Sequence, residues 1–322
     1  MNMESDAGAA EHDALPRQPT WAHLSTKSDR GEDGKATDIP TVLNPWTLNV
    51  GSMYAFPILA RRSNSKQQSA LRAHLPTKHD RANYTGSGLG FVMLIRYTDS
   101  PVGPYDELLL VPGAFTPPSP GNPIARTNHM KETFLQAHGL LAARRVTRIF
   151  VSTEASLRNG RRNWGIRKEL ADFTWTPRPT TTSSWNSIVD VVVRSRLDGE
   201  VLCDVALKTV RTWSVPARLN WLQGILLPPL EEREIDEEGV PTAENAWIQT
   251  VLGGSLRMQP ASILTDSTPP SSTSQRLDRF PNLHDLSLWP GVHGTGTITF
   301  TATTTRTYSS PALATHRHDK DA

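Results

Sequence analysis

The chain has 322 residues, 37% of them apolar, with 34 Lys and Arg against 32 Asp and Glu. That length allows one large domain or two smaller ones around a sizeable core, and a net charge of +2 gives no drive toward nucleic acid or an anionic membrane surface. The single cysteine, Cys203, excludes an intrachain disulfide and a thiolate-rich metal site; within Val201-Leu202-Cys203 it reads as a buried packing residue.

In chain order, the opening MNMESDAGAAEHD lacks the basic and apolar regions of a signal peptide. No later stretch reaches the ~18 apolar residues of a membrane span. A soluble, cytoplasmic protein without a membrane partner is expected. Residues 1–40 and 305–322 are poor in large apolar side chains and read as disordered tails around one domain at 41–304. Strands are expected at 91–97 (FVMLIRY), 106–113 (DELLLVPG), 146–153 (VTRIFVST), 171–176 (ADFTWT), 188–195 (IVDVVVRS), 201–210 (VLCDVALKTV) and 295–304 (TGTITFTATT), all rich in β-branched or aromatic residues. Asp198-Gly199 signals a hairpin, and Pro101, Gly103 and Pro104 signal a tight turn. Helical spacing is confined to 130–145, 156–162 and 218–227, and the acidic run 231–238 reads as a solvated loop. Many strands without regular helix alternation predict a mainly β (α+β) fold, a largely antiparallel sheet or barrel with a few packed helices.

Some motifs carry less than they suggest. Gly86, Gly88 and Gly90 precede a strand, whereas a dinucleotide loop follows one and opens a helix; a turn is expected. The pair His316 and His318 lies in a tail that cannot preorganise a metal site, so no metal and no cofactor are expected. The cluster Arg158, Arg161, Arg162, Arg167 and Lys168 around Trp164 reads as a partly solvated basic face rather than a nucleic-acid site.

Two places carry more chemistry. Asp106 and Glu107 open an apolar strand. Because side chains alternate between faces, one of these carboxylates points inward and needs a partner: a structural ion pair or an active-site acid, both open on pattern alone. Lys168 sits between a glycine-containing turn (Trp164, Gly165) and the apolar stretch Leu170, Ala171, Phe173 and Trp175. Desolvation there would lower its pKa and make it a nucleophilic amine.

Together these blocks resemble the acetoacetate decarboxylase-like superfamily. FVMLIRYTDSPVGPYDEL (91–108) is similar to the family's block ending in a catalytic-site glutamate, which falls on Glu107. NGRRNWGIRKELADF (159–173) is similar to its G-R-x-x-x-[GA]-x-P-K-K-L-[AG] block; Gly160 and Arg161 match the opening, and the Schiff-base lysine falls on Lys168. The resemblance implies a large antiparallel β-barrel around an apolar pocket. It also implies an amine that condenses with a β-keto acid and accepts electrons as carbon dioxide leaves, activated by desolvation or a cationic neighbour. Three positions depart from the family: Glu169 replaces its second lysine, Arg167 its proline, and Val92 an acid of the first block. If the segment is extended, Arg167 and Glu169 point away from Lys168; if Glu169 turns back, it raises the lysine's pKa. Val92 implies a more apolar pocket, for a substrate larger than acetoacetate, polyketide-like in character.

The reading is thus a small-molecule enzyme, a lyase of decarboxylase-like type. Lys168 is its amine and Glu107 its acid, base or positioning carboxylate. Arg161 and Arg167 are carboxylate anchors, a structural Arg–Glu pair being the alternative, and Trp164 and Val92 contribute to the pocket. A cyclase or isomerase using the same pocket without an imine, and a non-catalytic carrier of an apolar metabolite, stay open, as does a homo-oligomer.

Overall fold

A computed structural model describes residues 29–30, 36–37, 39–116, 143–179, 186–210, 213–219, 225–227, 246–264 and 279–307. Nine of the strands among them form the main sheet: β1 (Trp46–Ala60), β2 (Gly88–Asp99), β3 (Tyr105–Val111), β4 (Arg148–Val151), β5 (Lys168–Arg178), β6 (Asn186–Ser195), β7 (Val201–Val210), β8 (Ala246–Leu264) and β9 (Gly291–Thr307). Each pairs with the next in sequence, and β9 returns to β1, so the nine close a ring. Every step is antiparallel except β4–β5. Parity requires this exception. Each antiparallel step reverses the chain direction, so a ring of nine closes only with an odd number of parallel steps. A parallel pair needs a crossover, and here it is helix α3 (Glu154–Trp164). Lys168 is the first residue of the strand that the crossover delivers.

Beyond the ring, β8 also pairs with Ile225–Leu227, which leads through Ala143–Arg144 to Ala114–Phe115. Two corrections follow. Ile225–Leu227 is a strand and not the end of a helix over 218–227, and Ala143–Arg144 is a strand where a helix over 130–145 was expected. In both places backbone pairing with a neighbouring strand overrides the near-helical spacing of the sequence. Residues 130–142, the acidic run 231–238, the His316/His318 pair and nearly all of both tails lie outside the described residues.

The hairpin and turn signals have their expected chemistry. Gly199 between β6 and β7 has φ +71°, and Gly103 between β2 and β3 has φ +82°, both in the left-handed region that glycine enters freely. Two short helices precede β2. Helix α1 (Ser65–Ala73) is capped by Asn64, and α2 (Lys78–Asn83) by a box in which Thr77 and Asp80 satisfy each other's backbone. Among the described residues, no helix is long and apolar enough to cross a membrane.

Because strand residues alternate, the sheet has two distinct apolar faces. One gathers Tyr54, Phe56 and Ile58 of β1, Val92 and Leu94 of β2, Leu108 and Leu110 of β3, Phe150, Ala171, Val191, Cys203 and Leu207. The other gathers Trp46, Leu48 and Val50 of β1, Ile95 and Tyr97 of β2, Tyr105 and Leu109 of β3, Ile149, Val151, Ile248 and Ile298, with Trp164 of α3 laid against them. Cys203 is buried on the first face and its thiol is pushed up to about 12 by burial, the state of an inert packing residue.

Candidate active site

Helix α3 sets up the site. Thr153 caps its start by accepting from the Ser156 N–H, and its end is closed by Gly165 in the left-handed conformation, whose N–H donates to the Arg161 carbonyl. Three residues later the chain enters β5 at Lys168. One flank of the helix clamps the lead into β1: Asn159 accepts from the Val42 N–H at 2.8 Å and donates to the Pro40 carbonyl, and Asn163 donates to the Val42 carbonyl. The other flank receives the lysine. A Cβ added at Gly160 would lie 2.5 Å from Lys168 Cε, so only glycine leaves room for the lysine stem.

Strand register then brings Glu107 to the amine. Lys168 pairs across β4 with Ile149, Ile149 with Leu109, and Glu107 stands two residues along β3 from Leu109 on the same face. Lys168 and Glu107 are 3% and 4% exposed. The Lys168 Nζ lies 3.0 Å from Ser156 Oγ, 3.4 Å from Glu107 Oε2 and 5.3 Å from the centre of the Tyr105 ring. The separation from Glu107 exceeds the ~2.7–2.9 Å of a tight charged hydrogen bond. Burial pushes the amine below its ordinary value of 10.5, with Glu107 opposing that shift. Tyr97 donates a long hydrogen bond of 3.5 Å to Glu107 Oε1. Burial, reinforced by the Glu107 charge, raises the phenols of Tyr97 and Tyr105 well above their usual 10, so both stay neutral donors.

These groups border a cavity of about 50 Å³, whose wall includes Trp46, Leu109, Ile149, Trp164, Ile166 and Phe300 besides Tyr105, Glu107, Lys168 and Thr250. At roughly 10–15 Å³ for one water, it is a small cavity. Trp46 and Trp164 meet edge to face at 4.6 Å.

Of the residues singled out by sequence, the structure brings Lys168, Glu107 and Trp164 to this cavity. Val92 is buried on the opposite face with Leu94 and Leu108. Residue 92 therefore does not set the cavity's polarity, and the argument from it for a larger substrate loses its basis. Arg161 donates to the Lys168 backbone carbonyl at 3.0 Å, so it fixes the start of β5 and does not line the wall. Arg167 is half-buried and outside the wall among the described residues. Glu169 faces away from the amine, paired with Arg148 at 3.5 Å and Arg279 at 3.7 Å. The extended geometry of β5 thus removes it as a charge acting directly on Lys168. Asp106, the other carboxylate of its pair, lies on the face of Leu108 and binds Arg96 at 2.9 Å. Ser156, Tyr97 and Tyr105 were missed by sequence reasoning. Tyr105 was legible, since i and i+2 share a strand face; Ser156, twelve residues before Lys168, left no signal.

No family model matches the chain, and no curated protein matches it. Among solved structures, the chain is similar to an acetoacetate decarboxylase from Legionella pneumophila, at 14% sequence identity and a TM-score of 0.45, over 90% of this chain and all of that one.

Proposed function

We propose that the protein is an acetoacetate decarboxylase-like enzyme that uses Lys168 as a Schiff-base amine on a small keto acid. The observation that carries this reading is the buried lysine at the wall of an apolar cavity, its amine pushed toward the neutral form by desolvation. The two sequence blocks that resemble the family meet in space through Lys168 and Glu107, and this supports it further. Glu107 accepts the ammonium proton, freeing the amine's lone pair. The amine adds to the ketone carbon, Glu107 returns its proton to the carbinol oxygen, and loss of water gives a protonated imine. The electron pair of the bond to the carboxylate then moves into the imine, releasing carbon dioxide and leaving an enamine. A proton from solvent, relayed by Glu107, adds to carbon, and hydrolysis of the imine restores the ketone product and the protonated lysine. Ser156 Oγ, 3.0 Å from Nζ, orients the amine throughout. The cavity's small volume favours a compact β-keto acid over a polyketide-like chain.

The nearness of the Glu107 carboxylate, which raises the lysine's affinity for its proton, favours a second reading. A lasting ammonium–carboxylate pair would serve acid–base isomerisation or cyclisation without an imine. Borohydride reduction during incubation with acetoacetate separates the two. The first reading predicts release of carbon dioxide and a reduced adduct on Lys168, both lost in Lys168→Ala. Turnover without an adduct supports the second reading. Unchanged decarboxylation by Lys168→Ala contradicts the first, and binding without turnover of any keto acid points to a carrier.

A further inference from the structure

Burial acts on the Lys168 nitrogen twice. It loosens the proton of the ammonium, as imine formation needs, and it acts in the same direction on the imine that follows. An imine nitrogen is less basic than an amine, and only its protonated form draws in the electron pair of the breaking carbon–carbon bond. A site that did nothing but exclude water would free the amine and then discharge its own electron sink. Two groups beside Nζ counter this, and they differ in kind. Glu107, 3.4 Å away, favours a cation but can also take its proton. The second is the face of the Tyr105 ring, whose centre lies 5.3 Å from Nζ, inside the ~6 Å reach of a cation–π contact. A ring face attracts a cation and offers no site for its proton.

The fold fixes that face. Tyr105 stands two residues before Glu107 on β3, so both turn toward Lys168 and the cavity. Across the ladder it faces Tyr97 of β2, with ring centres 4.6 Å apart. Tyr105 is 5% exposed and Lys168 3%, and a cation–π contact is strongest where water is kept out. The titratable groups facing the amine are Glu107 and Tyr105 of β3, with Tyr97 of β2 bound to the far oxygen of Glu107. Helix α3 adds Ser156, which accepts from Nζ, and its Arg161 reaches the Lys168 carbonyl rather than the amine. On β5, Glu169 turns to Arg148 and Arg279. We infer that the Tyr105 ring is a further catalytic group, whose face holds the Lys168 nitrogen as a cation and keeps the Schiff base protonated. This rests on the proposed imine chemistry. No bond to Tyr105 forms or breaks, and its phenol keeps its proton throughout.

Replacing Tyr105 in the full chain by phenylalanine, and then by mono-, di- and trifluorinated phenylalanine, tests this, because fluorine weakens the attraction of the ring face and barely alters its shape. The Lys168 midpoint, followed by NMR of carbon-13 at lysine Cε, stays close to native in Tyr105→Phe and falls with each fluorine. Cyanoborohydride, which reduces the protonated imine, then traps the Lys168 adduct of acetone at a pH above the amine's midpoint. Its yield falls in the same order, by about tenfold from phenylalanine to the trifluoro ring. The single-fluorine step adds the least bulk and gives the sign by itself. A midpoint that stays put along the series, or rises, overturns the cationic role of the ring. The imine is scored separately. A falling midpoint with no adduct from acetone or acetoacetate upholds the ring as a cation site and sinks the imine. An adduct whose yield ignores the fluorines upholds the imine and overturns the role of the ring.

Discussion

The two faces of the sheet are built from the same strands and differ by one residue of register. On β3, Leu108 and Leu110 turn to one side while Tyr105, Glu107 and Leu109 turn to the other. The first side is filled mainly with aliphatic and aromatic side chains, from Ile58 and Val92 to Val193 and Leu207, with the buried Arg145–Asp80 pair against Phe115. The second buries a lysine, a glutamate and two phenols beside a cavity. Close packing stabilises the first face. The second accepts desolvated charge and unfilled volume, which are unfavourable to folding and useful to chemistry. One set of strands therefore supplies a rigid scaffold and the site it carries.

Truncation should separate the faces most strongly. Leu110→Ala, at a fully buried position of the first face, is expected to cost about 2–5 kcal/mol in denaturant unfolding and to leave any surviving folded protein able to bind ketones. A loss below about 1 kcal/mol would mean that the first face is not the close-packed one. Next is Gly160→Ala. The new methyl meets the Lys168 stem at 2.5 Å, so a destabilisation of about 1–3 kcal/mol is expected, with a slowed rate of adduct formation at Lys168. An unchanged rate would show that the helix does not position the amine. Replacing the pair together, Lys168→Met with Glu107→Leu, should leave stability unchanged or raise it by roughly 1–4 kcal/mol while abolishing adduct formation. A large loss of stability would place the pair with the structural face.

The smallest effect is a shift with pH. Glu107 holds the Lys168 proton on, against the burial that drives it off. Glu107→Gln removes the opposing charge, so the amine deprotonates at lower pH and the pH–rate profile for adduct formation moves down. A profile that moves up would mean that the carboxylate does not act on this amine.

Much of this was legible from sequence, for physical reasons that can be named. The strands β2 to β7 declare themselves through β-branched and aromatic runs, and Gly103 and Gly199 mark two of their connections. Strand β1 was hidden by Gly51 and Pro57; its pairing with β9 follows register only up to Ala55, so Pro57 interrupts no further ladder there. Strand β8 was hidden by Gly253-Gly254, which reads as a break. In the fold Gly254, at φ +102°, continues the strand where a side chain would collide with the Thr297 carbonyl. Lys168 and Glu107 stood out by their apolar surroundings, and the resemblance of their two blocks to one family linked them. The block also contains its own explanation, since Gly160 makes room for the lysine and Arg161 holds its backbone. Trp46, Thr250 and Ser156 could not be found that way. They join the site through ring closure and helix packing between segments far apart in the chain, and no local pattern records such meetings.

The account turns on an amine whose proton is loosened by burial. Carbon-13 labelling at lysine Cε, with the Lys168 signal assigned through Lys168→Arg and followed by NMR across alkaline pH, measures this directly. The account predicts a Lys168 midpoint below the ordinary 10.5 and below those of the exposed lysines. A midpoint at or above 10.5 would contradict it.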